Sequence, residues 1–107
     1  MNKGEIWLID ILGGIGHEQQ GSRPAIVMSH NFGVAVAIPI TSSPNRIGMK
    51  FTCTIRPCAE NGLPAISSAL VFQLKSLDER HFIRKFGRIS SEDMSAIDDA
   101  LRAMLKI

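Results

Sequence analysis

The 107-residue chain has only two cysteines, Cys53 and Cys58, with no C-x-x-C pair and no Cys/His cluster. That lack of donor spacing argues against a zinc site. The odd separation of the two puts them on opposite faces of any strand containing both, and two free thiols fit a reducing cytoplasm. No stretch approaches the roughly 18 consecutive apolar residues of a membrane span. The apolar start after Lys3 mimics a secretory leader, but Asp10 breaks it and no small-residue cleavage site follows cleanly. No repeat, linker or low-complexity segment is present, so one domain over 1–107 is expected. The net charge is only +2, which permits a nucleic-acid partner without demanding one.

What the chain does have is a globular balance, 45% hydrophobic and 21% charged, enough for one core. The placement of charge says more than the total. Arg23, Lys50, Arg56, Lys75, Arg80, Arg84, Lys85 and Arg88 fall in or beside the strand region. Most of the acids lie near the start or from Asp78 onward. A basic face and a mixed surface both remain open.

Gly4 to Ile11 reads as a strand apolar on much of both faces, with Trp7 in the core. Ala25 to Ser29 reads as the next strand, begun by Arg23-Pro24, since proline is tolerated at a strand start. His30-Asn31-Phe32-Gly33 reads as a hairpin turn with Asn31 and Gly33 at positive φ. Val34 to Ile40 is the third strand, and Pro39 suggests a sheet edge or an exit from the sheet. Phe51 to Ile55 alternates as a half-exposed strand, and Ala65 to Leu77 reads as one further strand segment. Asp78 to Phe82 suggests one helical turn. Ile83 to Ile89 suggests a short strand in which Gly87 marks a bulge or a close approach. Ser90 begins a helix that Asp93 helps to cap. Met94, Ile97, Leu101, Met104 and Leu105 form its apolar stripe. Five to six short strands and one C-terminal helix make a small barrel or curled sheet with a helix packed on it.

The stretch Gly16-His17-Glu18-Gln19-Gln20-Gly21-Ser22-Arg23-Pro24 lies between the first two strands. A connector needs only the turn residues Gly16 and Gly21. The imidazole, carboxylate, amides and guanidinium are surplus to that need, and loops on a rigid scaffold are where binding and catalytic groups concentrate.

Gly4-Glu5-Ile6-Trp7-Leu8 and this loop, followed by Ile38-Pro39-Ile40-Thr41-Ser42, Gln73-Leu74-Lys75-Ser76-Leu77-Asp78 and Gly87-Arg88-Ile89, resemble the PemK/MazF family of toxin–antitoxin ribonucleases. The resemblance spans nearly the whole chain. It implies a mainly β fold with a C-terminal helix, the small SH3-like barrel shared by PemK, MazF and CcdB toxins. It implies a homodimer and metal-independent cleavage of single-stranded RNA, especially mRNA, at short sequences, without a cofactor. It also implies a cognate antitoxin, itself DNA-binding, whose acidic disordered tail covers the RNA groove. The family's motif positions here are His17, Glu18, Arg23 and Thr41. Gln19, Gln20, Ser42, Ser43, Arg46 and Gln73 are expected to bind RNA, and Phe32, Phe72 and Arg46 are candidates for stacking or backbone contact, although Phe72 suits the core better.

Metal-free cleavage uses the 2′-OH as internal nucleophile. It needs a base for that hydroxyl, support for the phosphorane and an acid for the 5′-oxygen. His17 titrates near neutrality, and Arg23 offers a fork matching two phosphate oxygens. Thr41 can donate to the same phosphate. Glu18 can serve as base or orient Arg23.

This chain departs from the family in two places. Some members carry an Arg and an Asp before the Gln73 motif, where Leu70 and Phe72 stand here. Their Asp-Pro-Thr before the loop is replaced by Leu12-Gly13-Gly14. These departures leave two other readings open, a CcdB-like gyrase-binding toxin and a nucleic-acid-binding regulator on the same barrel.

Overall fold

The computed structural model describes residues 1–11 and 21–107. Among these residues are seven strands, β1 (Glu5–Ile11), β2 (Gly21–Asn31), β3 (Val34–Thr41), β4 (Thr52–Ile55), β5 (Ser67–Leu70), β6 (Lys75–Asp78) and β7 (Phe82–Arg88), followed by the helix α1 (Ser91–Leu105). All pairings are antiparallel, in the order β4-β5-β3-β2-β1-β7, with β6 also on β3. The mainly β architecture with a C-terminal helix is the expected one. No helix among the described residues is long and apolar enough to cross a membrane.

The core is branched aliphatic. Ile6, Ile26, Ile38, Ile40, Ile55, Val71 and Ile97 are buried together, and Met94, Leu101 and Met104 of α1 close over them. A second cluster of Ile9, Ala25, Val27, Ala35, Ala37 and Phe82 is covered by Met1, Trp7 and Leu77. The alanines leave room for that indole, so Trp7 is half-buried on this cluster rather than central. In α1 the Ser90 hydroxyl accepts the Asp93 N–H at 3.0 Å, as the local pattern requires. Leu105 leaves the stripe and stands 48% exposed, because the helix ends there on a left-handed Lys106.

Several expectations are corrected. The segment from Ala65 to Leu77 is two strands rather than one, split by a 3-10 turn over Val71–Gln73. That turn passes the chain from β5, paired with Ile40 and Thr41, to β6, paired with Val34 to Ala37. Pro39 does not mark an edge, for β3 is the most connected strand. It falls in the gap between β6 and β5, where a missing N–H costs no ladder bond on that side. Arg23 and Pro24 lie inside β2, which begins at Gly21. The strand over 51–55 is shorter than expected, starting at Thr52. At the hairpin Phe32 (φ 55°) and Gly33 (φ 76°) take positive φ rather than Asn31. Asn31 pairs with Val34, leaving the two-residue turn that requires positive φ at both positions.

The β4–β5 connection closes the sheet onto β7. Asn61 is buried, with its Oδ1 accepting Cys58 N–H at 3.1 Å and Leu63 N–H at 2.9 Å, and its Nδ2 donating to Arg56 O at 2.8 Å. The Arg88 N–H donates to Glu60 O at 2.8 Å. A Cβ on Gly62 would meet Phe86 O at 2.5 Å. Gly87 presses as closely on Glu60, so this is the close approach its position in the sequence suggested.

Candidate active-site cleft

Strand register assembles the site. Ala25 pairs with Pro39 and Ile26 with Ile38. Carried two residues further, the same register brings Arg23 of β2 toward Thr41 of β3. Both line a cleft of about 340 Å³. Ser22 and Pro24 flank Arg23 on one wall, and Ile40 and Ser42 flank Thr41 on the next. Leu63, Pro64 and Ser67 come from the Asn61-stapled turn and the start of β5, and Phe86 from β7.

The described lining therefore offers one guanidinium, four hydroxyls and no carboxylate, imidazole or thiol. Arg23 is half-buried, and no carboxylate among the described residues pairs with it. Burial pulls its pKa below the ordinary guanidinium value, yet arginine remains charged at any physiological pH. A half-buried cation among hydroxyl donors suits an anion with several oxygens. Thr41 Oγ1 accepts the Ser43 N–H at 3.2 Å. That caps the strand end and leaves the Thr41 hydroxyl proton free to donate into the cleft.

The expected RNA-binding residues divide. Ser42 lines the cleft, and Ser43 holds Thr41 through its backbone. Arg46 ends a 3-10 turn over Pro44–Arg46, and its Cζ stands 5.9 Å from the centroid of the Phe72 ring. Gln73 ends the Val71–Gln73 turn, half-buried. Phe72 is 38% exposed rather than core, because its turn spends Val71 on the core and rotates the next side chain outward. Leu70 is buried. Phe32 stands at the far hairpin, away from the cleft. His17, Glu18, Gln19, Gln20 and Leu12-Gly13-Gly14 lie outside the described residues. The sequence missed Ser22 and Ser67 as lining groups; two serines opening an apolar strand were the available signal for Ser67. Both cysteines are free and neither lines the cleft. Burial and the Asp93 charge raise the pKa of Cys53.

A mainly β antiparallel sheet with a C-terminal helix packed on it, and at one end a cleft whose described lining presents one guanidinium and four hydroxyls, defines a small β-barrel protein. A family described as "PemK-like, MazF-like toxin of type II toxin-antitoxin system" matches residues 2–105. The chain belongs to this family. Endoribonuclease MazF9 of Mycobacterium tuberculosis is 28% identical over 122 residues, covering 100% of this chain and 98% of that protein. The crystal structure of MazF (Form-I) from Deinococcus radiodurans superposes with a TM-score of 0.81 at 25% identity, covering 100% of this chain and 97% of that one. An endoribonuclease in complex with its cognate antitoxin, from a mycobacterial species, has the same fold at a TM-score of 0.76 and 17% identity, covering 98% and 94%.

Proposed function

We propose that this toxin is an endoribonuclease that cleaves single-stranded RNA, mRNA above all, in the cytoplasm, so inhibiting translation and growth. The observation that carries the reading is the cleft itself, in which the half-buried Arg23 faces Thr41 among hydroxyls with no carboxylate in the described lining. A toxin that only binds gyrase has no need of such a phosphate clamp. The names of the relatives point the same way.

In the reaction the 2′-oxygen attacks phosphorus, giving up its proton to a base, and the bond to the 5′-oxygen breaks as an acid protonates that oxygen. The products are a 2′,3′-cyclic phosphate and a 5′-OH. No external nucleophile enters, so no metal-bound water is required. Arg23 takes two equatorial oxygens of the phosphorane, where charge accumulates. Thr41 donates its free hydroxyl proton to the same phosphate. Leu70 and Phe72 cannot move protons, so the base and acid duties fall to His17 and Glu18. Gln19, Gln20, Ser42, Ser43, Arg46 and Gln73 hold the flanking nucleotides. The chain acts as a homodimer of single-domain subunits, and its partner is an antitoxin with an acidic, disordered tail that competes for the same cationic cleft.

The test is incubation of the purified protein with a long single-stranded RNA in EDTA, with mapping of fragment ends. Cleavage at a recurring short sequence leaving 5′-OH ends is the expected result. Intact RNA in the presence of folded protein would overturn the reading.

A further inference from the structure

From Gln19 to Leu77 the chain carries one carboxylate, Glu60, against five cations, Arg23, Arg46, Lys50, Arg56 and Lys75. Two of these cations gather on one patch beside the cleft. Arg46 ends the turn that leaves the Thr41–Ser43 rim, and its Cζ lies 5.9 Å from the centre of the Phe72 ring. The Lys50 Nζ lies 5.0 Å from the centre of the Phe51 ring. The Phe72 N–H donates to Phe51 O at 3.3 Å, which fixes the two segments together. No carboxylate among the described residues pairs with Arg46 or Lys50.

A single exposed phenylalanine needs no explanation. This one has a cation within reach of its ring and a second cation on its neighbour, and Arg46 stands four residues along the chain from Ser42 of the cleft wall. Its own sequence neighbours Leu70 and Val71 are 2% and 0% exposed, while Phe72 is 38% exposed. An aromatic face beside unpaired cations is the arrangement that holds single-stranded nucleic acid, where bases stack and phosphates are neutralised. A second copy of the chain fits less well. A two-fold contact centred here would gather the Arg46 and Lys50 charges of both copies in one interface, with no described carboxylate paired to them.

We propose that Phe72 and Arg46 form a stacking platform for one base of the RNA, flanking the phosphate held by Arg23 and Thr41. The proposal rests on the ribonuclease reading and adds the place where a flanking base is held. Phe72 touches substrate only at that base and takes no part in proton transfer.

The test measures binding apart from cleavage, with a short single-stranded RNA of randomised sequence whose riboses are 2′-O-methylated and cannot be cut. Phe72→Ala and Phe72→Leu are each expected to weaken binding roughly tenfold, within the range for one lost stacked base. The slope of log affinity against log salt is expected to stay unchanged. Arg46→Ala should weaken binding and lower that slope by about one, the signature of a phosphate contact. Phe72→Trp should bind at least as well as the native protein, and RNA should quench the added fluorescence relative to a protein carrying Trp7 alone. Retained affinity in Phe72→Leu, or an unquenched Phe72→Trp, would overturn the platform. A Phe72→Ala protein whose oligomeric state changes while its affinity per site does not would also overturn it, assigning the ring to a second copy. Failure of the native protein to bind the RNA at all would sink the ribonuclease reading itself.

Discussion

Glu5 and Arg23 stand toward opposite ends of the β1–β2 ladder, and the protein treats these two charges differently. Glu5 is 7% exposed and fully partnered. The Trp7 indole donates to its Oε1 at 3.0 Å, and Lys85 Nζ lies 3.2 Å from its Oε2. The hydrogen bond from Trp7, the Asn2 backbone and the Lys85 charge together outweigh burial and hold its pKa at about 2. Arg23 is half-buried with no countercharge among the described residues, and burial alone moves its pKa downward. A desolvated charge supplied with partners belongs to the scaffold. A desolvated charge among hydroxyls, with no countercharge among the described residues, is the one that the proposed function assigns to an anion from outside.

The largest effect that sharpens this contrast is Arg23→Ala. Removing a principal donor to the phosphorane is expected to cost about 10²–10³ in the rate of RNA cleavage. Thermal stability should change little, because Arg23 forms no ion pair with any described residue that the substitution would break. Single-turnover cleavage beside a melting curve checks both. A mutant that melts early would make Arg23 a scaffold charge like Glu5 and erase the distinction.

The reciprocal change is Glu5→Gln, expected to lower stability and leave cleavage per folded molecule intact. The folded pKa of about 2 lies below the ordinary 4.5, so the ionised carboxylate stabilises the fold fully above that ordinary value. The contribution is lost as pH falls through the window toward about 2. The bound on it is about 3 kcal/mol. Denaturant titrations of both proteins from neutral pH into that window should show curves that converge as pH falls. Parallel curves would mean that the Trp7 and Lys85 contacts do not depend on the charge.

Much of this contrast could be read in the sequence, and the part that could not has a common cause. Arg23 and Thr41 were singled out, and register alone brings them together. The Ser90 cap and the closeness of Gly87 to another backbone were legible because each follows from local chemistry. Asn61, which staples the wall of the cleft, was invisible, since its three partners lie in a turn whose shape depends on packing against β7. Pro39 suggests an edge or an exit from the sheet, and nothing local reveals that β3 instead changes partners from β6 to β5 on either side of it. For Phe72 apolarity favours the core over stacking, and the 3-10 turn that faces it outward is not legible locally. Asn31 was chosen for positive φ on residue preference, whereas strand pairing decided the turn and placed Phe32 there.

Thr41 tests the cleft more gently. Thr41→Val removes the hydroxyl that meets Ser43 and the proton it can donate, while keeping the β-branched shape. Cleavage should fall by about tenfold or more, the worth of one hydrogen bond to a charged group, and Thr41→Ser should restore most of it. Equal activity in the valine and serine variants would reduce Thr41 to a strand cap.

The smallest effect lies at the far hairpin, where the fold tolerates a residue that neither packs nor binds in the cleft. Phe32 is fully exposed, at 104%, and holds φ at 55°, a left-handed conformation disfavoured for a bulky side chain and favoured for asparagine. Its replacement forfeits no buried surface. Phe32→Asn should therefore stabilise the protein by about 0.5–1 kcal/mol, the usual scale for relieving a mismatched turn residue, with cleavage and RNA affinity unchanged. A loss of cleavage in this variant would carry function to the hairpin end of the sheet and dissolve the division between a scaffold end and an anion-binding end. A gain in stability alone would place this backbone strain outside the core and outside the cleft, and leave the division intact.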